Sequence, residues 1–439
     1  MMKEITMRRP SATLLALLAF LFFAPQIKAQ NPLFIPDTLT GPVYNLELAP
    51  GKMAWLPGDS TITHGINQDY LGPTLIMNKG DNITLNVTNS IVDTTTMHWH
   101  GMHVAPSDDG GPHTTIVPGD TWSPDFEVLD EATTFWYHPH LHYKTAQHVY
   151  SGASGMIILR DTHEAALPLP RTYGVDDFPI IIQDKAFNAN NQLIFAEVGD
   201  TVMINGTMNP FLEVPAQMVR FRLLNGSNQR VYNFAVPNNL NAFQIGTDGG
   251  LLSAPLPITR MRLAPGERAE IVIDFGPQPL NSVIPMSCNN SELGPGITGG
   301  QGGPQGGPGN LLDNQDFAFI EFRVRPPHMN GVNTLPPNLN TYAPWDENDA
   351  DLTRIKTFDT IPPAGFPYLI NSTPFNLSVV NDTLVKDAIE IWEIRNETDI
   401  AHPFHIHDIQ FYVIEFNGNP PPPHWRGKKD LVLLEPGDV

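Results

Sequence analysis

The stretch "AIEIWEIRNETDIAHPFHIH", residues 388–407, runs from alternating apolar residues into Asn396 and then into three histidines. Alternation of period two marks a half-buried β-strand, and an Asn beside Glu and Thr marks the turn that ends it. Two other stretches repeat the pattern, "DNITLNVTNS" running to Asn89 and "QMVRFRLLNGS" running to Asn225. Each is followed by a second marker: "VPGD" at Pro118, "APGE" at Pro265 and "EPGD" at Pro436. The Asn-to-Pro intervals are 29, 40 and 40 residues, and both markers of the third copy lie 171 residues past those of the second. Three copies of one β-domain explain this most economically.

The totals agree. A chain of 439 residues exceeds one ordinary core, and 43 Pro with 35 Gly favour short strands and many turns. The expected domains are 31–163, 170–325 and 335–439, with Pro-rich joins after Arg160 and after Arg325. A Gly/Pro-rich insertion, "LGPGITGGQGGPQGGPGN" at 293–310, reads as flexible and structureless. Ahead of the first domain, Lys3, Arg8 and Arg9 precede an apolar run from Leu14 to Ala24, and Ala29 offers a cleavage point. Residues 1–29 therefore read as a secretory signal peptide, too short to span a bilayer. The expected product is exported, periplasmic or extracellular, with no membrane span. Losing the leader removes four Lys/Arg and one Glu, taking the net charge from −21 to −24. Such a surface argues against a nucleic-acid partner. Cys288 is the one cysteine, so no intrachain disulfide can form; it reads as an inert strand-end or loop thiol.

Histidine spacing carries the chemistry. His-x-His occurs at His98/His100, His138/His140, His140/His142 and His405/His407. Random scatter of that composition would give roughly half of one such pair. Strand residues i and i+2 share a face about 6.5–7 Å apart, so both rings aim into one space. Clustered imidazoles suit copper, zinc, iron or nickel. Because "MHWHGMH" and "FWYHPHLHY" belong to the first expected domain and "HPFHIH" to the third, a shared site would lie between them. Trp99, Trp136 and Tyr137 read as packing beside the rings.

"HWHG", "YHPH" and "HPFHIH", each with its strand and "PGD" marker, resemble the motifs of the multicopper oxidases. The resemblance spans nearly the whole chain after the leader and implies an all-β fold of three consecutive cupredoxin-like Greek-key sandwiches, the third incomplete. It implies copper, four ions in a complete protein. His98 and His405 would hold the single copper of a trinuclear cluster, and His100, His138, His140 and His407 its coupled copper pair. His402 would be one ligand of a mononuclear blue copper. Asp109, in "SDDGGPH", matches an acidic position that helps deliver protons to oxygen. Asp408 stands where the family often has Gly. His142, His103 and His113 match no ligand position.

The implied activity couples one-electron oxidation of a reducing substrate to four-electron reduction of dioxygen to water. Phenolic and aromatic substrates are the first expectation, with cuprous ion the alternative, since the 14 Met are dispersed. The His-Cys-His segment of the family pattern has no counterpart before Val439, so the sequence reads as a fragment of a longer oxidase. A degenerate scaffold or a copper-binding protein without turnover is the competing reading. A zinc hydrolase fits less well, because no carboxylate in these motifs is placed as a base.

Overall fold

The computed structural model describes residues 30–196, 198–301, 310–342, 344–360 and 368–439. The expected signal peptide lies outside them. Strand dominates, and the few helices are short.

Two sheets form the first sandwich. One runs Thr38–Thr40, Thr74–Asn78, Gly155–Arg160, Thr134–His138 and His98–His100 in spatial order; the other centres on Val43–Met53 and Asn82–Asn89. Alternation decides which side chains meet. Tyr44, Leu46 and Leu48 from one strand and Ile83, Leu85 and Val87 from the next are buried against Trp99, Phe135, Tyr137 and Ile157. Burying each such side chain contributes roughly 1.5–3 kcal/mol. The packing fixes which residues of the opposite strands face away from this core, and the histidines are among them.

The second sandwich pairs a seven-stranded sheet with a six-stranded one, and Met218–Asn225 is buried along its length. Its six-stranded sheet recruits Asn31–Pro32, which runs parallel to Pro210–Pro215. The start of the chain's first expected domain thus adds an edge strand to the second. The third part is smaller among the described residues: a three-stranded sheet (Tyr368–Ile370, Leu352–Thr360, Glu390–Asn396) and a pair formed by His402–His405 with Leu431–Leu434.

The repeated Asn and Pro-Gly markers prove to be one device. Gly119, Gly266 and Gly437 each donate a backbone N–H to the carbonyl of Asn89, Asn225 and Asn396, at 2.7, 2.8 and 2.8 Å. All three glycines have φ between 81° and 88°, a region that penalises a Cβ. Each buried Asn then turns its amide inward: Asn225 Nδ2 donates to Arg230 O and Leu263 O, and its Oδ1 accepts from Ser227 N. Asn89 and Asn396 repeat that arrangement on Asp93 and Ile116, and on Ile400 and Leu434.

One expectation needs correction. The described part of the Gly/Pro insertion, 293–301, is ordered into the core: Leu293 and Ile297 pack with Val231, Ala264, Ala401, Leu431 and Leu433. Thr298 O accepts from Val231 N, and Gly296 O accepts from Ala401 N. Two apolar residues set among glycines are enough to anchor an arm whose composition suggests disorder.

Between the first and second sandwiches lies a buried ion network. Arg222 binds Asp177 (2.7 Å) and Glu270 (2.7 Å), Arg220 binds Glu164 (2.7 Å) and Glu270, and Thr134 Oγ1 donates to Glu270 (2.6 Å). Burial alone would raise these carboxyl groups, but the Arg220 and Arg222 guanidiniums outweigh it and hold Asp177, Glu164 and Glu270 below their ordinary range. Depressed carboxylates stabilise the fold fully above their unfolded values, and the contribution is lost as pH falls through the folded ones. The melting temperature should therefore hold between about pH 5 and 7 and fall steeply below about pH 4; scanning calorimetry across that range checks it. Asn225→Ala, which strands two carbonyls and an N–H, should destabilise the protein by about 2–4 kcal/mol, measured by denaturant unfolding.

Candidate metal centre

His98 and His100 flank Trp99 on the edge strand His98–His100, where Trp99 points into the core and both rings point out. Pairing brings the second motif alongside, with His138 opposite His98 and Trp136 opposite His100. The third motif arrives from the other end of the sequence. His407 stacks on His98 with ring centroids 4.1 Å apart, and His405 stacks on His100 at 3.9 Å. His140 sits 5.4 Å from His98 and 4.9 Å from His407. Six histidines singled out in the sequence thus come into one cluster.

The rings are held from behind. Nδ1 of His98 donates to Asp109 O (2.9 Å), that of His138 to Pro139 O (2.8 Å), and that of His405 to Asp430 O (2.7 Å). His407 Nδ1 donates to Asp109 Oδ2 at 3.1 Å, and the other carboxylate oxygen lies 3.1 Å from His98 Nδ1. His140 is fixed through its backbone, whose N–H donates to Thr96 Oγ1 at 2.5 Å. Anchoring one ring nitrogen on a carbonyl sets the tautomer and presents the other as a bare lone pair.

Those lone pairs are where the geometry points to a metal. Nε2 of His98, His100 and His405 is buried and has no hydrogen-bond partner. Each would cost about 1–3 kcal/mol if left unpaired. Ligand atoms converge within 4.8 Å in three groups: His98, His100 and His138; His98, His405 and His407; His100, His405 and Asp430. Burial lowers every ring in the set that shifts: His140 to about 4, and His405 to about 3 even though Asp430 opposes the shift. His100 and His138 fall well below the ordinary value for the same reason. Neutral imidazoles at neutral pH are what copper requires, so the donor set fits the ion.

Asp109 is buried between two of these rings. Burial pushes its carboxyl up, but the hydrogen bonds from His407 and His98 prevail and hold it well below the usual range. Trp136 stacks on His138 at 4.0 Å, whereas Trp99 and Tyr137 belong to the sandwich core. His142 stacks instead on Tyr143 and edges Phe375, away from the convergent groups. His103 and His113 also fall outside these groups.

His402 stands apart. Its Nε2 lies 2.8 Å from Thr398 Oγ1 and its ring sits between Phe358 and Tyr368. Among the described residues, no convergent group of three contains it. Cys288 brings no thiolate there: it is buried in the core of the second sandwich, opposite Phe234 and Phe317, where desolvation pushes its thiol well up. Asp430 is the site residue that sequence reasoning missed. Its only signal is an acid at the head of the apolar run "DLVLL", too common a feature to single out. Arg268 grips both its carboxylate oxygens, and Oδ1 lies 3.7 Å from His100 Nε2.

Comparison with known proteins agrees with this geometry. The family described as multicopper oxidase matches residues 49–164 and again 342–438. A multicopper oxidase of Staphylococcus haemolyticus is 34% identical over 405 residues, covering 90% of this chain and 80% of its own length. The cell division protein FtsP of Xenorhabdus nematophila is also 34% identical, over 386 residues, covering 84% of this chain and 76% of its own. Among solved structures, the McoA multicopper oxidase of Aquifex aeolicus superposes with a TM-score of 0.81 at 30% identity, over 94% of this chain and 91% of that one. The laccase-like multicopper oxidase CueO of Ochrobactrum sp. superposes equally well, at 29% identity over 93% and 91%. The all-β architecture, the convergent histidines and these matches lead to one conclusion: the chain belongs to the multicopper oxidase family.

Proposed function

We propose that this protein is an exported oxidase that couples one-electron oxidation of small phenolic or aromatic molecules to reduction of dioxygen. The observation that carries the reading is the trio of buried, unpartnered Nε2 atoms on His98, His100 and His405, contributed by two separate parts of the chain. Copper, when bound, supplies the one-electron redox chemistry by which four electrons reach dioxygen and two waters leave. In this reading His98 and His405 hold one copper of a trinuclear cluster, and His100, His138, His140 and His407 hold the other two. His402 is one ligand of a blue copper, with Thr398 orienting its ring.

The chain's own residues do the rest. The carbonyls of Asp109, Pro139 and Asp430 keep each ring proton on Nδ1 and the lone pair on Nε2. In the same reading Asp109, beside His98 and His407, relays protons to reducing oxygen, its carboxylate accepting each one before passing it on. Trp136 covers the cluster on one side and limits water entry.

Organic substrates are favoured over cuprous ion because the methionines are dispersed and the long insertion is built of Gly, Pro and Gln. The Ochrobactrum structure is described as having oxidase activity towards lignin model compounds, which supports the same choice. A second reading has its own support: relatives named as cell division proteins match at 30–34% identity, beside 33–34% for those named as oxidases, so a non-catalytic role of the same fold competes.

Oxygen uptake with a diphenol, and separately with cuprous ion, tests the proposal, alongside copper content per chain. His98→Ala and His405→Ala should each reduce uptake to background and lower the copper content. Uptake with cuprous ion but none with the diphenol would replace the substrate assignment. Copper bound without any uptake would favour the non-catalytic reading.

A further inference from the structure

Immediately behind the cluster, four side chains tie the first and third parts of the chain together. Asp130 is 8% exposed, and its two carboxylate oxygens face opposite ways. Oδ2 accepts from His103 N at 2.9 Å, and Oδ1 accepts from Gln410 Nε2 at 3.1 Å. The same Gln410 amide donates to Gly101 O at 2.6 Å. Further out, His103 Nδ1 lies 2.8 Å from both the carbonyl oxygen and Oδ1 of Asp408.

The placement of these contacts is specific. Gly101 follows His100 directly and Asp408 follows His407 directly, so the ties act on the residues adjoining two His-x-His motifs. Neither attachment point is free to drift. Gly101 has φ +95°, and a Cβ there would come within 2.5 Å of the Phe135 ring. Asp408 holds φ +73°, a region Asp tolerates better than most residues, and its side chain reaches His103 from there. Metal ligands must lie within about 0.2 Å of their preferred distances. A cluster whose rings come from two packed bodies needs its gap set by something besides the metal.

We infer that Asp130 and Gln410, with His103 and Asp408 as an outer rung, are positioning residues that set the spacing between the first and third histidine motifs. None of the four is a ligand in the assignment above, and the inference rests on that assignment. The inner rung carries most of the effect, because Asp130 is buried and Gln410 partly so, while the outer pair is half-exposed and screened.

The test uses the full chain loaded with copper. Gln410→Met keeps volume and removes the donor, while Asp130→Ala removes both acceptors. Each should speed transfer of copper to a competing chelator about tenfold, the range typical of groups that support metal ligands. The double variant should lose copper no faster than the worse single one, and Asp130→Asn, which keeps an acceptor, should restore part of the retention. Val324→Ala, in the core of the second sandwich, controls for general destabilisation. If it sheds copper as fast as Gln410→Met at equal loss of melting temperature, the four residues contribute only stability and the inference falls. Wild-type retention in Gln410→Met and Asp130→Ala also overturns it. Unchanged copper content in His98→Ala and His407→Ala would instead remove the ligand assignment, and the clamp with it.

Discussion

Everything in this molecule hangs on a buried asparagine at the end of a strand. A strand entering a turn inside the protein leaves carbonyls and N–H groups that water cannot reach, and one Asn amide can satisfy two or three of them at once. Asn89, Asn225 and Asn396 do this, and in each case a glycine with positive φ closes the knot from a loop distant in sequence. The knot ties the end of one strand to the start of another, which is how a sandwich of this topology fixes its corners. In the first and third copies, the histidine motif lies within the segment between the two tied points. His98, His100, His405 and His407 are thereby mounted between tied points, while His138 and His140 follow Gly119, on the strand Thr134–His138 and just beyond it.

From this mounting follows the character of the site. Two ring pairs stack across the junction, at 4.1 and 3.9 Å, and no single domain contains either pair. In each stacked pair one ring, His98 or His405, is tied to a backbone carbonyl through Nδ1, which fixes how the pair presents its donors. The buried Arg268–Asp430 pair extends this logic to the second sandwich, since Arg268 belongs to that sandwich and Asp430 O holds His405. All three parts of the chain therefore contribute to the geometry of one histidine cluster.

Much of this was legible in the sequence. The alternating strands, the Asn and Pro-Gly markers and the paired histidines are local patterns whose physical meaning does not depend on the rest of the fold. The six clustered histidines were found because i and i+2 on a strand share a face whatever that strand packs against. Asp430 was not, because its importance comes from a carbonyl and a carboxylate aimed at residues hundreds of positions away, and no local pattern records that. His103 looked idle for the same reason: its partners are Asp130 and Asp408, one of them 305 residues distant. The arm at 293–301 was misread because composition averages over a segment, whereas burial there is decided by Leu293 and Ile297 alone.

That arm has a consequence for how the protein comes apart. Leu293 and Ile297 share one apolar cluster with Val231 and Ala264 on one side and Ala401, Leu431 and Leu433 on the other. Much of what is buried in the third part, including Leu431 and Leu433, is buried against the second sandwich, and its own sheets leave Leu352, Ile355 and Ile370 exposed. Among the described residues the third part has little core of its own, so docking of the arm opposes its opening. The two regions form a single cooperative unit, and amide exchange along Leu431–Leu434 follows the opening of the second sandwich.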